Sequence, residues 1–200
     1  MSLSPYRKGV VQAPVIVDYD PHWPERFSHE EVTIRRALGG RLVGIEHIGS
    51  TAVPGLAAKP ILDLMVGLRH LREALDCIEP LAKLGYFQKA DAPETEEWYF
   101  PKRPARGQQF NLHVVEHGGV YWRKKLLLRD YLRQRPDEAA QYAAVKRSLA
   151  PRFSAIRPYA QAKSAYILAL LERAQAAAAG MEMAAEQALP WAGAGCALHA

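Results

Sequence analysis

GIEHIGSTAVPGLAAKPILDLMV, residues 44–66, joins two apolar runs through a Gly-Ser-Thr turn and a loop with two prolines. Alternation along the second run predicts a strand, because successive side chains of a strand point to opposite faces. One face then carries the core residues Leu62, Leu64 and Val66. The other face carries Ile61, Met65 and a single acid, Asp63. A carboxylate in an otherwise apolar strand is costly unless it is paired or functional, so Asp63 is the first candidate site residue.

The turn before this strand has the composition of a phosphate-binding turn. Gly49, Ser50 and Thr51 are small, so their backbone N–H groups can approach phosphate oxygens. If the two strands are neighbours, Asp63 faces the turn and is placed to hold Mg²⁺ against the phosphates. That arrangement is typical of nucleotidyl transfer, in which the metal orients in-line attack. Two structural alternatives stay open: a salt bridge from Asp63 to Lys59 or an arginine, and capping or turn chemistry for Ser50 and Thr51.

Composition and charge are those of an ordinary globular protein. The chain has 200 residues, which fits one domain with a small subdomain. Its net charge of +5 modestly favours an anionic partner such as a nucleotide, phosphate or RNA, and ordinary surface lysines and arginines explain it equally well. No apolar run reaches the roughly 18 residues of a membrane span, and no signal-peptide core is present, so we expect a cytoplasmic protein. Cys77 and Cys196 match no metal or redox spacing.

Periodicity and turn residues predict a mixed α/β N-terminal part and an all-helical C-terminal part. Strands are predicted at residues 15–20, 42–49, 60–68, 86–88, 98–102 and 109–116. One helix runs from Pro24 to about residue 38, where two glycines end it, and another covers residues 71–84. From residue 121 the pattern is helical: one helix stops before Pro136, a second begins there, and a third covers residues 154–179. Residues 181–200 are rich in Ala and are expected to fray.

The Gly-Ser turn, followed after twelve residues by Asp63 on a strand, resembles the signature of the nucleotidyltransferase superfamily. In active members a second acid follows two positions later on the same face, and a third comes from a later strand. Here Met65 stands at the second position, and a thioether cannot replace a hard oxygen ligand of Mg²⁺. His113 stands on the later strand where the third acid is expected. The resemblance therefore implies the loop and the first carboxylate of the superfamily without the second.

Further segments narrow the family. YDPHWPERF, EHIGSTAVPGL, NLHVV, LLLRDYLRQRPDEAAQYAAVK and YAQAKSAYILALLERA occur in one order, and together they resemble the GrpB-like family over about residues 15–174. That family also occurs fused behind some dephospho-CoA kinases. The resemblance implies a nucleotidyltransferase-like fold with a C-terminal helical segment, and members typically also carry an apolar residue at the position of Met65. A fungal branch with a similar domain makes arginine-containing cyclodipeptides from aminoacyl-tRNA, which adds a second kind of transferase to the functions to consider.

Acidic and imidazole groups near the turn are candidate bases. Glu46 and His47 lie on opposite faces of the strand before the turn, so one of them should face the site. A hydrogen-bonded pair that orients the loop is the alternative for both. His113 is a candidate base or ligand, with a structural role equally open.

Basic residues supply candidate phosphate contacts. Lys59 precedes the Asp63 strand, and Lys163 interrupts the apolar stripe of the last helix; each could reach a phosphate or the strand carboxylate, or extend to solvent. Lys125, Arg129 and Arg133 recur every four residues on one predicted helix. We interpret Lys125 and Arg133 as parts of a solvated helix face and keep Arg129 as a candidate phosphate contact.

These observations predict an α+β fold: a nucleotidyltransferase-like mixed sheet with flanking helices at residues 1–119, a helical segment packed on it at 120–178, and a flexible tail at 179–200. The predicted function is binding of a nucleotide or phosphorylated ligand with Mg²⁺, and transfer of a nucleotidyl group. The predicted roles are as follows: Asp63 and Glu46 hold the metal; Gly49, Ser50, Thr51, Lys59 and Arg129 hold the phosphates; Asp63, Glu46, His113 and Lys163 form the catalytic set. Two alternatives are a non-catalytic or regulatory ligand-binding domain, motivated by Met65, and an aminoacyl-tRNA-using transferase, which would bind RNA.

Overall fold

A four-stranded mixed sheet forms the centre of the computed structural model, which describes residues 13–89 and 96–188. The strands are β1 (Leu42–Ile48), β2 (Ile61–Leu68), β3 (Trp98–Lys102) and β4 (Gln109–Glu116), in the spatial order β1-β2-β4-β3. β2 runs antiparallel to β1 and parallel to β4, and β3 runs antiparallel to β4. The helices are α1 (Trp23–Leu38), α2 (Ile78–Lys83), α3 (Val120–Gln134), α4 (Pro136–Leu149), α5 (Ile156–Ala162) and α6 (Ser164–Ala188). The predicted α+β class, a mixed sheet with flanking helices followed by a helical segment, is confirmed.

α1 begins and ends where its sequence signals predict. Pro24 lies in the first turn, where its missing N–H costs no hydrogen bond, and Glu25 suits the positive end of the helix dipole. Gly39 ends the helix with a φ of 57°, a value that glycine adopts without strain. The buried residues of α1 then face the sheet.

The two faces of the sheet pack against different helices. The main core contains Trp23, Ile34 and Leu38 of α1, Leu81 of α2, and the inward residues of the strands, among them Leu62, Leu64, Val66, Leu112 and Val114. On the opposite face Ile48, Met65 and Val115 pack against Trp122 of α3. A third cluster joins Val53, Leu56 and Ala57, in the loop before β2, to α3, α4 and α6. The predicted parity of β2 is therefore confirmed, because its even-numbered residues form the core.

The strand predicted at residues 15–20 is wrong. Only Val17 pairs with Ala58, through two backbone hydrogen bonds of 2.9 and 3.0 Å. In an antiparallel ladder the next hydrogen-bonded pair on one side would need an N–H from Pro60, which has none. On the other side the N–H of Leu56 is already donated to Val53. The ladder consequently stops at one bridge.

Three further predicted elements differ in detail. Residues 71–84 divide into a 3₁₀ segment (Leu71–Cys77) and α2, because Pro80 would clash with the carbonyl four residues earlier in one continuous α-helix. Residues 86–88 form one bridge, from Tyr86 to Lys102, because Pro101 of β3 has no N–H to return to Phe87. The predicted helix at 154–179 divides into α5 and α6 at Lys163. The predicted tail at 179–200 overlaps α6, and residues 189–200 lie outside the described residues.

Within the described ranges no helix is long and apolar enough to cross a bilayer. Cys77 is buried, and burial raises the pKa of its thiol to about 11, which agrees with the expected unreactive thiol. Cys196 lies outside the described residues.

We predict that Gly67→Ala destabilises the protein and that Gly40→Ala does not. A Cβ at Gly67 would lie 2.8 Å from Trp122 Cζ3 and 2.9 Å from His117 Cβ, whereas a Cβ at Gly40 meets nothing within 4 Å. Overpacking of this kind costs roughly 1–3 kcal/mol of unfolding free energy. Urea unfolding of both variants measures the difference, and equal midpoints for the two would contradict the packing described above.

Candidate ligand-binding site

A cavity of about 430 Å³ lies between the sheet and the C-terminal helices. Its lining includes Gly49, Ser50 and Asp63, so the structure brings the predicted turn and the predicted acid to the same cavity. A narrow pocket continues from it and adds Thr51 and Lys146 to the same surface. We call the two together the inner cavity.

Gly49 and Asp63 are held in close contact by the sheet. Ile48, the last residue of β1, is paired with Asp63 on β2, so the chain turns directly beside the carboxylate. A Cβ on Gly49 would lie 2.4 Å from Asp63 Oδ2, and Gly49 has a φ of 68°. Only glycine satisfies both the conformation and the distance.

A chain of hydrogen bonds fixes the Asp63 carboxylate. Asn111 lies beside Asp63 in the parallel β2–β4 pair, and its Nδ2 donates to Asp63 Oδ1 at 2.6 Å. Asn111 Oδ1 in turn accepts from the Tyr99 hydroxyl at 2.6 Å and from Arg103. Because two donors occupy the amide oxygen, the amide NH₂ must face Asp63. Among the described residues Asp63 makes no ion pair within 4.0 Å, so the structural alternative, a salt bridge to Lys59 or an arginine, is not found.

The side chains of the turn are anchored to other elements. Lys146 of α4 is almost completely buried, and its Nζ donates to Ser50 Oγ at 2.9 Å and to the Ala57 carbonyl. Thr51 Oγ1 is hydrogen-bonded to His47 Nε2 at 2.9 Å. Burial lowers the pKa of His47 to about 4, so the imidazole is neutral near pH 7. The hydroxyls of the turn thus bond to side chains of α4 and β1 and make no helix-capping hydrogen bond, so they differ from the capping role considered as the alternative.

Three lysines face Asp63 across the cavity: Lys59 from the loop before β2, Lys125 from α3, and Lys163 from the break between α5 and α6. Within the described part of the chain none of them makes an ion pair or a hydrogen bond through its ammonium group. Each instead lies near an aromatic ring, at 4.8 to 5.9 Å from Nζ to the ring centroid.

Burial sets the electrostatics of these lysines. It lowers the pKa of Lys59 to about 8, and it also lowers the pKa of Lys125 and of Lys163. The charge of Asp63 acts in the opposite direction on all three. The expectation that Lys125 lies on a solvated helix face is therefore wrong. Lys125 is half-buried and lies on the face of α3 that lines the cavity.

Glu46 and Arg129 are paired with each other. Arg129 Nη1 donates to Glu46 Oε2 at 2.7 Å and to the His47 carbonyl at 3.1 Å, and its Nε donates to Asp130 at 2.8 Å. Arg129 lines the inner cavity, but Glu46 does not. As predicted, Glu46 and His47 take opposite faces, and His47 stacks on Phe27 of α1 at 4.9 Å. The Arg129 bonds link α3 to β1 and use the charged groups of both Arg129 and Glu46. The pairing therefore favours neither a metal-binding Glu46 nor a phosphate-binding Arg129.

His113 of β4 also lines the cavity. Its Nδ1 is 2.7 Å from Glu97 Oε2 and 3.1 Å from the Tyr121 hydroxyl. Hydrogen bonding to His113 lowers the pKa of Glu97 against the effect of its burial, so the carboxylate stays ionised. A carboxylate on one ring nitrogen orients the imidazole, as in catalytic and structural histidines alike.

The residues present do not fit a Mg²⁺ site. The described chain contains no group of three or more His, Cys, Asp or Glu side chains that could hold a metal ion. Met65, at the position of the second acid, is fully buried in the cluster with Trp122. Asp63 offers one carboxylate whose Oδ1 already accepts from Asn111, and its cavity neighbours are ammonium groups. Mg²⁺ requires several oxygen ligands, so the predicted cofactor finds no donor set here.

Sequence reasoning missed Asn111, Glu97 and Lys146 as site residues. Alternation in β4 already placed Asn111 on the face of His113, so strand pairing was the missing information. Lys146 follows Ala139, Tyr142 and Ala143 at helical spacing, which places it on the buried face of α4. A lysine on an apolar helical face is the signal that could have identified it. Glu97 adjoins residues 90–95, which the structure does not describe, and no pattern marked it.

The mixed sheet with its flanking helices and C-terminal helical segment defines an α+β protein with a cavity between sheet and helices. The model of the family described as GrpB protein matches residues 13–173, and the chain therefore belongs to the GrpB family, as predicted.

Relatives and a solved structure agree with this assignment. A UPF0157 protein of Halalkalibacterium halodurans is 35% identical over 164 residues, which cover 80% of this chain and 82% of that protein. The crystal structure of conserved protein GrpB from Enterococcus faecalis has a TM-score of 0.73 at 28% identity, covering 80% of this chain and 96% of that one. A dephospho-CoA kinase of Mycolicibacterium paratuberculosis is 32% identical over 166 residues, which cover 70% of this chain and 41% of the kinase.

We predict that introducing an acid at position 65 destabilises the protein and creates no metal site. Met65→Asp would bury a carboxylate against Ile48, Val115 and Trp122, at a cost of about 2–4 kcal/mol in unfolding free energy. Met65→Leu keeps the volume and should cost less than about 1.5 kcal/mol. Unfolding with and without millimolar Mg²⁺ measures both effects. A Met65→Asp protein that Mg²⁺ stabilises would contradict the prediction.

We predict that Lys146 makes the stability of the protein rise with pH. Burial lowers the pKa of its ammonium in the folded protein to about 7, from 10.5 for an exposed lysine. Between pH 7 and 10.5 the unfolded chain thus binds more protons than the folded one, so this lysine makes stability rise with pH. Relative to Lys146→Met, the wild-type protein should gain up to about 2 kcal/mol between pH 7 and pH 9.

Chemical unfolding of both proteins at a series of pH values measures this gain. A difference between them that stays constant over the whole range would show that Lys146 titrates normally in the folded protein.

Proposed function

We propose that this protein binds a nucleotide or another phosphorylated small molecule in the inner cavity. The observation that carries the proposal is the set of three ammonium groups, from Lys59, Lys125 and Lys163, that face Asp63 without an ion pair among the described residues. Removing charged groups from water is unfavourable unless they are compensated. An anion in the cavity would supply that compensation.

The position of the turn agrees with a phosphate ligand. Gly49 and Ser50 line the cavity beside Asp63, and small residues at a turn allow a ligand to approach the backbone closely. The volume of about 430 Å³ lies within the usual range for small-molecule sites. Tyr99, Tyr121 and Tyr142 on the wall provide apolar and hydrogen-bonding surface for the remainder of the ligand.

The kinase relative, of which this chain covers 41%, suggests a probe and does not by itself support the ligand class. Its name gives dephospho-CoA as the molecule on which that protein acts, and dephospho-CoA contains an adenosine joined to a diphosphate. ATP and dephospho-CoA are accordingly the first probes to test with this chain.

Transfer of a nucleotidyl group is the second candidate function, favoured by the carboxylate of Asp63 beside the Gly-Ser turn. The burial of Met65 favours the binding function instead, because no second carboxylate reaches the cavity from β2. Incubation with labelled nucleoside triphosphates and Mg²⁺ separates the two, since metal-dependent release of pyrophosphate occurs only in transfer. The aminoacyl-tRNA-using transferase stays a prediction, which retention of tRNA at moderate salt would test.

We predict that Lys59→Gln and Lys163→Gln each weaken binding of ATP or dephospho-CoA about tenfold, or roughly 1.4 kcal/mol. Each substitution removes one ammonium group from the cavity and keeps a similar side-chain length. Lys124→Gln is the matched control, because Lys124 is exposed on α3 next to Lys125. Isothermal titration calorimetry measures the affinities, and thermal unfolding checks that the variants fold.

Two results would reject the proposed function. One is that neither probe binds to the wild-type protein at millimolar concentration. The other is that the two cavity variants bind as tightly as the Lys124→Gln control.

A further inference from the structure

We propose that the inner cavity binds the phosphate groups of its ligand without a divalent metal, using Lys59, Lys125 and Lys163 as the counter-charges and the Tyr159 hydroxyl as a donor. This inference rests on the proposed function and adds to it the chemical form of the ligand, which is the free polyphosphate anion rather than its Mg²⁺ complex.

The first observation is the charge balance of the cavity. Glu97 and Arg129 on its wall are paired with His113 and with Glu46, respectively. The larger part of the cavity then holds three ammonium groups and the single carboxylate of Asp63, and the narrow pocket adds the ammonium group of Lys146, which is bonded only to uncharged oxygens. Positive groups thus outnumber the unpaired carboxylate. A Mg²⁺ ion at Asp63 would increase this excess of positive charge, whereas a di- or triphosphate would offset it. Electrostatic repulsion therefore opposes the metal and favours the anion.

The second observation is that the side chains around Asp63 at which metal ligands were expected make other contacts. Met65 packs in the apolar cluster against Trp122, and His113 is held by Glu97 at 2.7 Å. Asp63 Oδ1 accepts from Asn111, which reduces its capacity to coordinate a cation. Met65 and His113, at the positions expected for the second and third metal ligands, therefore both have other partners.

The third observation is a hydrogen-bond donor without a partner in the narrow pocket. Tyr159 is completely buried, and its hydroxyl has no hydrogen-bond partner among the described residues. The Nζ atoms of Lys59 and Lys163 lie 5.9 and 5.6 Å from the centroid of its ring, and all three residues line the narrow pocket. That pocket has a volume of about 30 Å³, which admits one oxygen of a phosphate held in the larger cavity. A buried hydroxyl without a partner is unfavourable, and such an oxygen would accept its hydrogen bond.

The experiment compares binding of ATP in EDTA with binding in excess Mg²⁺ by calorimetry. Because Mg²⁺ neutralises part of the triphosphate charge, we expect the affinity in EDTA to be at least threefold higher. Binding that requires Mg²⁺, or that is stronger with it, overturns this inference and leaves the proposed function intact. Absence of ATP and dephospho-CoA binding in both buffers overturns the proposed function and the inference together.

Two variants test the residues in EDTA. Asp63→Asn removes the one opposing charge while it keeps the size of the side chain, so ATP should bind about threefold more tightly. Weaker binding than wild type in EDTA would show that the Asp63 carboxylate does not oppose the anion, and it would overturn the inference. Tyr159→Phe should weaken ATP binding about fivefold and leave thermal stability unchanged or higher, because it removes a polar group that has no partner in the ligand-free protein. Unchanged affinity in Tyr159→Phe would exclude its hydroxyl from the site.

Discussion

The contact between Gly49 and the Asp63 carboxylate is the constraint on which the rest of the site depends. Cross-strand pairing of Ile48 with Asp63 delivers the end of β1 to the carboxylate, and the absence of a Cβ lets the backbone turn there. The turn is then fixed by groups from both sides of the sheet. His47 holds Thr51 from the α1 side, while Lys146 of α4 and Arg133 of α3 bond Ser50 and the Ala52 carbonyl. Sheet and helical segment are therefore joined at the turn, which makes the site a product of both.

The helical segment determines the electrostatic character of the site. β2 contributes the acid and β4 contributes the amide that orients it, but three of the four lysines that line the inner cavity come from the helical segment that follows the sheet. Lys163 reaches the cavity because the chain leaves helical geometry there, between α5 and α6. A carboxylate that is fixed by Asn111 and surrounded by ammonium groups cannot bind cations as a carboxylate pair would. The surface around Asp63 is therefore cationic.

Packing against Trp122 keeps an acid out of position 65, in addition to the electrostatic effect of the lysines. The Trp122 ring packs against Met65 and Val115 and closely approaches Gly67, so the β2 position two residues after Asp63 belongs to a packed core. An acid there would face an indole instead of the cavity. Because packing on this face holds α3 against the sheet, and α3 carries Lys125 and Arg129, the apolar residue at 65 and the cationic wall depend on each other.

The sequence by itself determined the family through its motifs, and it determined α1, all four strands of the sheet to within a residue, and the placement of Asp63 beside the turn, because alternation and capping are local signals. It did not determine the one-bridge pairing at Val17, which depends on a proline two residues beyond its partner. Nor did it assign the inward direction of Lys125, the amide of Asn111 or the pairing of Glu46 with Arg129. Those features depend on the rotation of each helix against the sheet and on which strands are neighbours. Both are fixed by long-range packing, which no local pattern encodes.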